Sequence, residues 1–186
     1  MKAVRAPWAS AFAGLAALAV AIGIGRFAFT PILPMMQGDW GLTVAEAGWL
    51  ASANYAGYLA GAFTAIGARV RASLAIRAGL LVIGVSTLAM GVDHAFLSWL
   101  ALRFIAGAAS AWVLIFVSTW ALERLAAHPG LSGVVYAGVG AGIVVAGSGC
   151  SVVMALDAGS ATAWLALGGV SLCATALIWT LVKDPS

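Results

Sequence analysis

Charge is what this sequence has least of. Asp, Glu, Lys and Arg make up 8% of its 186 residues, against about 25% in soluble domains. That excludes an ordinary soluble domain. Nine basic and six acidic residues leave a net charge of +3, too weak and too scattered for a nucleic-acid surface. Cysteine occurs twice, at Cys150 and Cys173, both inside apolar runs. They read as small core residues, not as a disulfide framework or a metal site. Enzyme signatures are also missing: there is no HExxH, no GxSxG, no Walker loop and no GxGxxG between strand and helix. No catalytic residues, no cofactor and no metal site are expected.

What is present is apolar sequence. Hydrophobic residues reach 63%, and runs longer than 18 residues recur along the chain. The class is therefore an all-α membrane protein. Lys2 and Arg5 ahead of an apolar core from Trp8 imitate a secretory signal. The run continues past the length of an h-region into Arg26, without a polar mature start, so it reads as a retained first span.

Six spans are expected: about Trp8–Met36, Val44–Ile66, Ser73–Val92, Ala95–Leu122, Leu131–Ala155 and Ala161–Val182. Pro31 and Pro34 should bend the far end of the first. Gln37 to Gly41 should form a loop. Thr43-Val44-Ala45-Glu46 fits a capping box opening the second span. Together the spans make one transmembrane domain over 1–186.

The charges sort by side. Lys2, Arg5, Arg69, Arg71, Arg77, Arg124 and Lys183 fall on one side. Asp39, Glu46, Asp93, His94 and Asp157 fall on the other, with no Lys or Arg among them. The positive-inside rule then places both termini in the cytoplasm. His94 and His128 lie on opposite sides and cannot share a metal.

Arg26 and Arg103 remain inside the membrane. Arg26 lies 11 residues from Gln37, roughly 16 Å at helical rise. Arg103 lies 8 residues from Ala95, about 12 Å by the same rise. Both sit near the midplane of a core about 30 Å thick, and no acidic residue shares their depth. An intramembrane arginine costs at least about 2.5–3.5 kcal/mol unless it faces protein or water. Two readings stand. The pair forms an anion-binding locus in a polar cavity, or each guanidinium bonds carbonyls freed by a helix break. Asn54, Tyr55 and Tyr58 on the second span line the same cavity or bond backbone of adjacent helices. Asn54 and Tyr58 share a face at i, i+4. Gly57 and Gly61, the run from Gly107 to Ala111, and Gly138, Gly140, Gly142, Gly147 and Gly149 invite close helix packing. Their density on the fifth span suggests a tight or moving interface.

Six spans with both ends inside, and Arg103-Phe104-Ile105-Ala106-Gly107 on the fourth, resemble the N-terminal half of a major facilitator superfamily transporter. The fifth span lacks that family's proline, and the loop from Gly67 to Arg77 lacks its Asp. Gly25-Arg26-Phe27-Ala28-Phe29-Thr30-Pro31-Ile32-Leu33-Pro34, then Gly48-Trp49-Leu50-Ala51-Ser52-Ala53-Asn54-Tyr55-Ala56-Gly57-Tyr58, resemble its YbfB/YjiJ-type members. The resemblance implies two inverted three-helix repeats, about 1–92 and 93–186, in a bacterial inner membrane. It implies a secondary transporter unit for a small anionic or polar solute, working with a second six-helix half or as a homodimer. Arg26, Thr30, Asn54, Tyr58 and Arg103 are then the substrate-binding candidates. The competing expectation is a non-transporting remnant or interaction subunit of a truncated transporter gene.

Overall fold

The computed structural model describes Lys2 to Asp184, with side chains from Pro7 onward. The side chains of Lys2 and Arg5, assigned above to the basic side, lie outside the described residues. Every regular element among those residues is helical. The order is α1 (Lys2–Leu18), a π-helical segment (Ala19–Ile24), α2 (Phe29–Trp40), α3 (Val44–Ile66), α4 (Ala72–Met90), α5 (Phe96–Arg124), α6 (Gly130–Ala155) and α7 (Ser160–Ile178).

The first span breaks earlier than its prolines suggest. The Gly25 N–H donates to the Val20 carbonyl at 2.8 Å and the Phe27 N–H to that of Ile22 at 3.3 Å. Both bonds reach back five residues, so one extra residue has entered the ladder. Thr30 N–H then reaches back only three, to the Phe27 carbonyl at 3.1 Å, and Pro31 has no N–H to give. The bend therefore occupies Gly25 to Ala28, not the far end. Pro31 falls in the first turn of α2, where a missing N–H is tolerated. Nor do Gln37 to Trp40 form a loop: α2 carries on through them and stops at Gly41, whose φ of 65° suits glycine.

Five stretches are long and apolar enough to cross a membrane: Pro7–Trp40, Ala72–Met90, Phe96–Arg124, Gly130–Ala155 and Ser160–Ile178. Helix α3 has the length, 23 residues, but Glu46, Asn54, Tyr55 and Tyr58 dilute its apolar character. Its start is the expected capping box. The Thr43 hydroxyl accepts from Glu46 N–H at 3.2 Å, and the Glu46 carboxylate accepts from Thr43 N–H at 2.9 Å.

The packing follows the glycines. Helix α3 lies along α5, α1 and the π segment lie along α6, and α4 sits against both α5 and α7. A Cβ on Gly57 or Gly61 would collide with the backbone of Phe104 or Ala108 on α5. A Cβ on Gly138 or Gly142 would collide with that of Leu15 or Ala19. Gly140 and Gly147 face open space, so only part of the glycine run on α6 is a contact. Two apolar clusters fill the interior. One gathers Leu18, Ile76, Leu80, Val113, Trp120 and Ile178; the other gathers Ile32, Met36, Leu50, Met90, Trp99 and Trp164.

Distant carboxylates cap two of the helices. Asp39 accepts from Ser160 Oγ at 2.6 Å and from its N–H, at the start of α7. Asp184 accepts from Ser73 N–H at 3.0 Å and Oγ at 2.6 Å, at the start of α4. Beside it, Arg77 donates to the Val182 carbonyl at 2.6 Å, and Trp120 Nε1 to that of Lys183 at 2.9 Å.

Candidate functional site

The break in the first span exposes backbone carbonyls, and Arg103 fills them. Its Nη1 donates to the Gly25 carbonyl at 3.3 Å and its Nη2 to that of Arg26 at 3.2 Å. Only 4% of Arg103 is exposed. Its guanidinium also lies 4.9 Å from the Phe29 ring centroid. Ser110 supports the same region, with Oγ 2.7 Å from the Ala21 carbonyl. Asn54 is buried and donates to the Arg103 carbonyl at 2.9 Å. Here both Arg103 and Asn54 bond the backbone of a neighbouring helix.

Arg26 is bound differently. Its guanidinium carbon lies 4.3 Å from the Tyr58 ring centroid and 4.8 Å from that of Tyr55. Aromatic faces attract a cation electrostatically without neutralising it. Its Nε is buried and has no hydrogen-bond partner. A small cavity of about 80 Å³ opens here, lined by Arg26, Phe27, Phe29, Thr30, Ala51, Asn54, Tyr55 and Arg103. A more open cavity of about 320 Å³ adjoins it through Phe27 and Thr30 and continues along Pro31, Ile143 and Gly147 of α6. Four of the five expected site residues thus line one cavity. Tyr58 stands outside the lining and stacks on Arg26.

Residues 18–186 match a family model described as uncharacterised MFS-type transporter YbfB. The chain belongs to that family. Comparison with curated proteins and with solved structures gave no match. This MFS-type chain is a multi-pass membrane protein of a transporter family. The motif around Arg26 and helix α3 around Asn54 meet at its cavity.

Two residues of this MFS-type site escaped the sequence reading. Ser110 lies seven residues after Arg103, two turns along the same helix face. That spacing was a usable signal, hidden by the Gly107–Ala111 run, which reads as packing. Phe29 had no signal, because its role depends on where the first span breaks.

Proposed function

We propose that this chain is one six-helix half of a secondary transporter of the bacterial inner membrane, moving a small anionic or polar solute, and that it is not an enzyme. The observation that carries the reading is Arg26: a permanent cation at a helix break, beside a cavity, with an unpartnered Nε and no acidic residue at its depth. A guanidinium suits carboxylate or phosphate in a paired geometry. Arg26 and the exposed Thr30 hydroxyl contact the solute. Arg103, Asn54 and Tyr58 hold Arg26 in place.

Helix α3 is the sixth span, polar because it lines the path, and both termini are cytoplasmic. Reciprocal packing supports two inverted repeats. Gly84 of α4 meets Leu172 of α7, and Gly168 of α7 meets Leu88 of α4. Gly57 and Gly61 against α5 repeat the pattern of Gly138 and Gly142 against the first span. In that register Arg103 aligns with Gly14, so the arginines share a depth without being repeat mates.

The second half supplies the other wall of the path, for alternating access needs two bundles rocking about one site. Left against lipid, Arg26 would cost at least about 2.5–3.5 kcal/mol, whereas Arg103 is already buried against carbonyls of this chain. Proteoliposomes holding the chain alone, or with a candidate second half, test the proposal. Saturable uptake is expected only for the pair. Uptake by a monodisperse monomer overturns the half-transporter reading. A folded pair that binds no anion and moves none supports the second reading, a non-transporting subunit, which the carbonyl bonds of Arg103 favour.

A further inference from the structure

A groove of about 550 Å³ runs between α4 and α5, away from the arginine cavity. Small residues make its floor: Ala75, Gly79 and Ala109. Leu74, Phe104 and Trp112 make its walls. It begins at Val70, just ahead of α4, and reaches Val82; the helical part, from Ala72 to Val82, is roughly 15 Å at helical rise. One leaflet of hydrocarbon is about 15 Å, half of the ~30 Å core. The groove therefore matches one leaflet and does not cross the membrane. A single flexible chain lying along the slot matches its length.

The mouth is charged. Val70 lies between Arg69 and Arg71, both exposed. Arg77 of α4 turns the other way, to the Val182 carbonyl and the Trp179 ring, and Asp184 is engaged by Ser73. Arg69 and Arg71 make the rim basic. Basic sites between membrane helices at this level select anionic head groups.

We infer that this groove holds one acyl chain of an anionic phospholipid whose phosphate sits at Arg69 and Arg71. The site is separate from the cavity at Arg26 and does not depend on the transport proposal. The ligand is a lipid of the leaflet at the basic end, held by charge at its head and by the apolar slot along its chain.

The full chain in vesicles of equal phosphatidylglycerol and phosphatidylcholine provides the test. A photoreactive residue is placed at Val82, in the groove, or at Val170, exposed on α7. Crosslinks at Val82 should favour phosphatidylglycerol at least fivefold, about the gain from one arginine near a membrane surface. Those at Val170 should show a ratio near one. Arg69→Gln with Arg71→Gln should bring the Val82 ratio down to the Val170 value. Equal ratios at the two positions overturn the inference. So does a preference that the double variant leaves unchanged, or crosslinking at Val82 to protein instead of lipid.

Discussion

Arg103 donates to the backbone carbonyl of Arg26 at 3.2 Å, so one intramembrane arginine fixes the backbone that carries the other. The two therefore divide the work. Arg103 spends two N–H groups on carbonyls of the broken helix, whereas Arg26 rests on two tyrosine rings and keeps its donors for the cavity.

Substitution by lysine should separate these roles. Arg103→Lys keeps the charge but cannot span both carbonyls, and the orphaned acceptors should cost about 1–3 kcal/mol. Thermal stability in detergent should drop, with anion binding per folded molecule little changed. Arg26→Lys should leave stability near wild type and reduce anion binding about tenfold or more, since the planar fork is lost. Titration with a small carboxylate, followed by tryptophan fluorescence, reads both. The reverse pattern would refute the division.

The contact between Asp184 and Ser73 should depend on pH in one direction only. Hydrogen bonds from the Ser73 hydroxyl, then its N–H, hold the Asp184 carboxyl below the ordinary carboxylate range. A carboxyl with a depressed folded-state pKa stabilises above the ordinary value of about 3.9 and loses that effect as pH falls through its own pKa. Amide exchange at Ser73 should be flat from neutral pH to about 5, beyond the intrinsic pH trend, and rise only below about pH 4. Asp184→Ala should raise it already at neutral pH.

How far could the sequence be read? Local features were legible. The Thr43–Glu46 box forms as its spacing says, and the charge-poor composition gives the membrane class. The arginine cavity was half legible: Arg26, Thr30, Asn54 and Arg103 do meet, but what Arg103 bonds was left open. Its acceptors, the Gly25 and Arg26 carbonyls, follow a π-helical segment, Ala19–Ile24, with no signature in an alternation of Ala, Val, Ile and Gly. The prolines pointed downstream of the true break for the same reason. The Asp184–Ser73 and Asp39–Ser160 caps join residues 111 and 121 positions apart, and such long-range pairing has no local pattern.

Topology can be checked by reporter fusions. Those placed after Arg71 and Arg124 should read cytoplasmic, and one after Asp157 periplasmic, because the basic residues collect on one side. This also tests whether α3 crosses the membrane despite its polar residues. If α3 did not cross, Arg71 and Asp39 would report the same side.

Glycine positions should divide sharply by what faces them. Gly140→Ala meets open space and should be neutral to slightly stabilising, by up to about 1 kcal/mol. Gly84→Ala would put its Cβ 2.5 Å from Leu172 Cδ2, with the Leu172 backbone nitrogen 3.6 Å away. The clash is with the end of a flexible side chain. Overpacking should destabilise by about 1–3 kcal/mol, and Leu172→Ala should relieve most of it in the double variant. Gly168→Ala looks like its mirror image but is not. Its Cβ would lie 2.6 Å from Leu88 Cγ and 2.7 Å from the Leu88 backbone nitrogen. Trimming Leu88 removes the first contact and leaves the second, so Leu88→Ala should fail to rescue. A double-mutant cycle at each pair, read by thermal melting, gives the coupling. Strong coupling is expected at Gly84–Leu172 and weak coupling at Gly168–Leu88. Equal rescue at both would mean that α4 and α7 cross with a closer two-fold symmetry than their backbones have here.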